Sequence, residues 1–371
     1  MTGPPALDQP VPAPADRARH LPGPARLKVR WLAAGLGAVL IATIAGVALG
    51  PVRLSPYGIF IELLDQIPGV HLNSGLSPID AAIVTQIRLP RVCLGLLVGA
   101  MLSLSGGCYQ GVFRNPLADP YLLGVSAGAG LGATAAIAGR SAFGSLPIAG
   151  GTGTPLSIPA AAFVGALVAV AMTYALGAAG GRYRTPATLV LAGVAVSAFL
   201  AAGQSYIQQR YVETIREVYS WILGRLTTAG WHDVLLLLPY AVVTGIVMLS
   251  QSRQLDVMSV GDDEATSLGA HPRRTRLILI IAASLGTAAA VSVSGLIGFV
   301  GIIVPHTVRL MAGSSYRVVL PLSALFGAAF LALADLGART LMAPDEIPIG
   351  VVTAFFGAPF FIVILRTSKQ M

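Results

Sequence analysis

Residues 88–130 read RLPRVCLGLLVGAMLSLSGGCYQGVFRNPLADPYLLGVSAGAG. The stretch holds an apolar helix entered through Arg88 and Arg91, a break at Asn115-Pro116, and a second, small-residue helix begun by Asp119-Pro120. Apolar runs of this length are membrane crossings, and the Asn-Pro break forces a reversal between them. Two crossings in so tight a hairpin predict a packed polytopic bundle rather than isolated anchors.

The rest of the chain agrees with that reading. Of its 371 residues 55% are hydrophobic and only 11% are charged, where a soluble domain carries roughly 25% charged residues. At about 20 residues per crossing, the chain accommodates about ten helices. Apolar runs and their breaks place them near 31–50, 88–110, 117–138, 157–179, 187–208, 233–251, 274–293, 296–312, 318–339 and 347–366. The expected fold is therefore all-α, one membrane domain over residues 31–371. Residues 1–25 contain seven prolines and no apolar periodicity, which predicts a disordered tail through about residue 30.

Charge reports topology in such a chain. With the N-terminus inside, sixteen Lys and Arg fall on cytoplasmic segments and eight on outer ones, so the positive-inside bias puts both termini in the cytoplasm. The net charge of +8 is spread between hydrophobic spans and forms no basic stripe interleaved with aromatics, so nucleic acid is not an expected partner. Lys28 and Lys369 are the only lysines, and neither follows a Gly-rich turn. A Walker A loop is therefore excluded, and ATP is not expected to bind here. Cys93 and Cys108 lie on one predicted helix, roughly 22 Å apart at 1.5 Å per residue, too far for a disulfide. No residue spacing suggests a metal site.

Two connecting segments carry patterns of their own. Ile215, Val218, Ile222 and Leu226 share one helical face, opposite Glu213, Arg216, Glu217 and Ser220, which predicts an amphipathic helix at the outer interface. Between residues 252 and 276, Asp262, Asp263 and Glu264 suit the first turn of a short helix, where the macrodipole favours anions, and Gly269 suits its left-handed stop. Pairs such as Gly95/Gly99, Gly124/Gly128 and Gly128/Gly132 have the spacing that lets membrane helices approach closely. Ala192-Gly193-Val194 and Ile349-Gly350-Val351 echo one another weakly, as expected of two five-helix halves related as inverted repeats.

In this order and spacing, several motifs resemble the permease subunits of type II ABC importers for iron-siderophore complexes, haem and cobalamin. They are Arg88-Leu-Pro-Arg91, Ser105-Gly-Gly, Asn115-Pro116-Leu-Ala-Asp-Pro120, Leu123-Gly124-Val-Ser-Ala-Gly128, Leu191-Ala-Gly-Val194, Gly298-Phe-Val-Gly301 with Val304-Pro-His306, and Glu346-Ile-Pro-Ile-Gly-Val351 with Gly357-Ala-Pro359. The resemblance implies no enzyme activity on this chain. It implies a dimer with itself or a paralogous permease, two ATP-binding subunits below that hold ATP and Mg, and a substrate-binding protein above, at a bacterial cytoplasmic membrane. It further implies docking of the binding protein by Arg88, Arg91 and Arg339. ATPase coupling would fall to Gly261, Asp262, Asp263, Glu264, Ala265, Ser267, Leu268 and Gly269. A gate would lie near Thr185 and Thr188. Gln204 and Gln208, near the outer end of the fifth expected helix, are placed either to touch substrate or to hydrogen-bond a neighbouring helix. The cargo order the resemblance suggests is a ferric siderophore, then haem, then cobalamin.

Other readings lack support. An ion-coupled transporter needs intramembrane carboxylates, and Asp335 is the one good candidate inside the spans. An intramembrane hydrolase would need Ser126, in Gly124-Val-Ser-Ala-Gly128, on a strand-to-helix turn with a histidine partner, whereas it falls in a helix. His306, beside Pro305, is expected to satisfy a carbonyl freed by a helix break.

Overall fold

The structure, a computed structural model, describes residues 27–67, 71–143, 157–179, 186–224 and 226–368. Residues 1–26 of the expected tail and Thr185 lie outside these. Fifteen helices follow in order: α1 (Val29–Ala48), α2 (Pro56–Asp65), α3 (Pro78–Ala82), α4 (Leu89–Val112), α5 (Val125–Phe143), α6 (Ile158–Ala179), α7 (Pro186–Arg210), α8 (Ile215–Ile222), α9 (Trp231–Ser250), α10 (Ser252–Met258), α11 (Asp262–Ser267), α12 (Pro272–Ser294), α13 (Val300–Ala312), α14 (Tyr316–Thr340) and α15 (Ile349–Ser368). A π-helical turn over Ile83–Arg88 fuses α3 to α4. Each of the ten expected segments falls on a helix. Among the described residues seven stretches are long and apolar enough to cross a membrane: α1, Pro78–Val112, α6, α7, α9, α12 and α14.

α4 is the axis of the bundle. Every residue from Met101 to Val112 is buried, and three of its polar side chains bond to neighbouring helices. Ser105 donates to the Ala283 carbonyl at 3.3 Å, Tyr109 meets Ser284 at 2.5 Å, and Gln110 Nε2 donates to the Gly301 carbonyl at 3.1 Å. Such bonds hold α4 to α12 and α13 where no hydrophobic effect acts between helices. Close packing does the rest. A Cβ on Gly99 would overlap the Gly327 carbonyl of α14, and one on Gly128 would overlap the Gly165 carbonyl of α6. Gly95, by contrast, has only ordinary contacts of 3.6 Å or more, so the Gly95/Gly99 pair is half what its spacing suggested. The outer helices leave Leu36, Leu40 and Ile44 of α1 and Leu235 and Ile246 of α9 exposed, as lipid-facing surfaces require.

Three boundaries differ from expectation. α5 begins at Val125 rather than near 117, because Asn115 Oδ1 accepts from Leu117 N–H and Asp119 Oδ1 from Tyr121 N–H. These local Asx turns offer the backbone an alternative to helix, and Gly124 closes the segment with φ +83. α13 begins at Val300 because Gly295 and Phe299 adopt left-handed backbone, with φ +72 and +68. The two irregular segments face each other within the bundle, where Tyr121 Oη donates to the Ile297 carbonyl and accepts from Ile297 N–H. Non-helical backbone at membrane depth is tolerated where protein covers it. The outer loop expected to be irregular holds α2, α3 and the π turn, started by Ser55 and Ser77, whose hydroxyls accept from Gly58 and Asp80 N–H.

His306 does not satisfy a freed carbonyl. α13 runs through Pro305, and the His306 ring sits edge-on to Phe360 of α15, 6.0 Å between centroids, with Nδ1 buried and unbonded.

Candidate functional site: two charged ends of one bundle

The charged residues gather at opposite ends of the bundle. At one end α4, α14 and the entry to α15 meet over Arg91. Its guanidinium grips Asp335 through Nε and Nη2 at 2.9 and 2.8 Å, and Glu346 through Nη1 and Nη2 at 2.9 Å each. Both carboxylates are thus held bidentately, the strong geometry for this pair. Arg339 lies 3.7 Å from Asp335, its i,i+4 neighbour, and donates to the Gly46 carbonyl of α1. Arg88 donates to the carbonyls of Val47, Ala48 and Val52, satisfying groups that the end of α1 leaves open.

Arg88, Arg91 and Arg339 are therefore turned inward, 3%, 7% and 3% exposed, neither facing solvent nor reaching toward headgroups. The π turn before Leu89 and the 1-4 spacing of Arg88 and Arg91 bring both under the same cover. Glu346, in the sequence only the start of a motif, was not expected in this cluster: its side chain is 29% exposed, and only the fold brings it to Arg91. A cavity of about 780 Å³ opens beside this cluster, between α8 and the start of α15.

At the other end α10 and α11 form a compact knob, where the sequence suggested one short helix. Ala265 is buried against Met258 and Ala270. Gly261 and Gly269 bracket α11 with φ +142 and +81, the left-handed stop expected at Gly269. Asp262, Asp263 and Glu264 occupy its first turn. The Asp262 carboxylate is shared by Arg114, from the α4–α5 connection, and Arg276 of α12, the latter at 3.2 Å. Arg114 also donates through Nε to the Met258 carbonyl at 3.0 Å. Asp256 of α10 accepts from Ser315 and from Tyr316 N–H. The knob is thereby tied to α4, α12 and α14 together, while Leu268 stands out at 71% exposure. The arginines of this clamp were missed because they are distant in sequence from Asp262.

Of the residues expected at a gate and along a path, Gln204 and Gln208 are i,i+4 neighbours on α7. Thr188 and Gln204 both lie on α7 but sixteen residues apart, about 24 Å along the axis. Gln204 sits beside Gly130 of α5, and Gln208 is half-buried. Ser126 is inside α5, with no strand-to-helix turn. Among the described residues no cluster of three His, Cys, Asp or Glu side chains is placed to hold a metal.

Known proteins resemble this chain in sequence and fold. The cobalamin import system permease protein of Halobacterium salinarum is 45% identical over 80% of this chain and 77% of its own. The hemin transport system permease protein of Yersinia pestis is 40% identical over 76% and 83%, and an Fe(3+)-citrate import system permease protein of Bacillus subtilis is 34% identical over 90% and 93%. An inward-facing metal-chelate type ABC transporter superposes with a TM-score of 0.76 at 28% identity, over 92% of this chain and all of the other. Residues 38–367 match the FecCD transport family. An all-helical bundle, spans along the whole sequence and this match agree: the chain is a membrane-embedded permease subunit of an ABC transporter and belongs to the FecCD transport family.

Proposed function

We propose that the chain, paired with a second copy or a paralogous permease, forms the channel of an ATP-driven importer that passes an iron chelate, a ferric siderophore or haem, from a binding protein to the cytoplasm. The named cargoes of the Bacillus and Yersinia relatives support that class. A cobalamin cargo is the second reading, favoured by the Halobacterium relative.

The observation that carries the mechanism is the knob at the Asp262 end. Arg114, Arg253, Arg273, Arg274 and Arg276 cluster there, so the positive-inside rule makes it the cytoplasmic end, with both termini on the same side. Gly261 to Gly269 then presents a short helix with an exposed Leu268 to two ATPase subunits, which bind ATP and Mg. Because Asp262 reaches both Arg114 and Arg276, displacement of α11 pulls on α4 and α12 at once, and the bundle rocks between two packings.

The opposite end receives the binding protein. Arg88, Arg91 and Arg339 are assigned to its docking by the family resemblance, since guanidinium groups suit the carboxylates of a partner, although here the buried guanidinium groups act from beneath the surface. Thr185 and Thr188 are assigned to the inner gate on the strength of the family resemblance, and Gln204 and Gln208 to the path by their place near the outer end of α7.

Docking of the ATPase is testable by capture. Ion pairs as exposed as Arg114–Asp262 contribute about 0–1 kcal/mol to folding, so Asp262→Arg and Leu268→Asp should leave a monodisperse permease. Both should reduce co-purification of a co-expressed ATPase subunit about tenfold. Undiminished capture by both variants would remove α11 from the coupling site.

A further inference from the structure

We propose that the 780 Å³ cavity at the Arg91 end is a receiving site for a chelate with an apolar body and carboxylate groups, in which Arg216 takes the carboxylate. The inference rests on the importer reading above. The volume lies within the roughly 300–1,000 Å³ of small-molecule pockets.

The cavity has two unlike walls. One is α8, an amphipathic helix that buries Val218 and Trp221. Its other face presents Arg216, Tyr219 and Ser220 to the cavity, side chains that lie together because they are spaced i, i+3 and i+4. The other wall is mostly apolar, with Leu226, Ile347, Pro348 and Ile349 beside the Thr227 hydroxyl, and Ile215 and Leu223 add aliphatic carbon on the α8 side. A ligand lying between them meets hydrogen-bond donors set among aliphatic carbon.

The charges decide which ligand fits. Arg91, Asp335 and Glu346 also border the cavity, but they are committed to one another by the bidentate bonds above. Arg216 has no ion-pair partner among the described residues; the neighbouring Glu217 is occupied by Arg140. One uncommitted guanidinium beside two hydroxyls is a carboxylate receptor in search of its carboxylate. A neutral or cationic ligand would leave it unmatched.

Hemin and its dimethyl ester are suitable probes, because the ester keeps the flat apolar body and loses both charges. Binding to the full-length permease in nanodiscs, corrected with empty nanodiscs, is read from the Soret band. Wild type should bind hemin about tenfold more tightly than the ester, the worth of one charge-assisted hydrogen bond. Arg216→Gln should lose that preference, weakening hemin and sparing the ester, and Arg216→Lys should restore part of it. Equal affinities for hemin and ester, no saturable hemin binding, or an Arg216→Gln variant that binds hemin like wild type would overturn the proposal. So would Arg216 variants that weaken only binding-protein docking, which would make this a protein contact. Saturable, Arg216-dependent binding without ATP-driven uptake would instead uphold this site and count against the importer reading.

Discussion

Arg91 and Asp335 show what one ion pair does inside a bilayer-sized bundle. Asp335 is 2% exposed and serves Arg91 on one side and Arg339 on the other, so its loss leaves buried Arg339 with no carboxylate and Arg91 with Glu346 alone. Removing one partner of a buried pair typically costs about 3–5 kcal/mol, because the other is left uncompensated. Asp335→Ala should therefore lower the thermal stability of the detergent-solubilised permease severely. Glu346→Gln, at a site that water reaches, should cost about 1 kcal/mol or less. Equal losses in a thermal melt would mean that the pair does not bear on folding as its burial implies. The sequence disclosed only the Asp335–Arg339 neighbour relation, the weaker contact at 3.7 Å. Arg91 lies 244 residues from Asp335 and 255 from Glu346, and no local pattern announces that they meet.

Among elements, backbone proximity governs packing. α5 and α6 touch at Gly128 and Gly165, and α4 and α14 at Gly99 and Gly327, so closely that a methyl group has nowhere to go. Overpacking a well-packed contact costs about 1–3 kcal/mol. Gly128→Ala and Gly99→Ala should each destabilise by that amount, whereas Gly95→Ala should be nearly neutral, as denaturant-accessibility assays of the three variants would show. The existence of the helices was legible because apolar runs of twenty residues have few alternatives. Their ends were not, where side chains compete with the helix: Asn115 and Asp119 draw backbone N–H groups into turns and delay α5 by eight residues. The short helix at Asp262 and the amphipathic helix at Ile215 were both legible, since a capped turn and a 3.6-residue period are local signals. That Asp262 is clamped by Arg114 and Arg276 was not, because that depends on how three distant segments converge.

At the scale of the whole molecule, two charged ends are joined by α4, which runs from Arg91 beside the upper cavity to the hairpin that carries Arg114. α12 and α14 run alongside and are tied to the same knob through Arg276 and through Ser315 and Tyr316. In the proposed mechanism, rigid helices that touch both ends carry ATPase movement at one end to a change of access at the other. A carboxylate-coupled transporter would need titratable groups free to exchange ions along its path, and Asp335 is instead locked between two arginines. The most direct test is uptake of an iron-loaded chelate into proteoliposomes that contain the permease and its ATPase. Uptake should require enclosed ATPase, ATP and the binding protein together, and should persist when the proton gradient is collapsed. Uptake driven by a proton gradient with no ATPase present would contradict the importer mechanism.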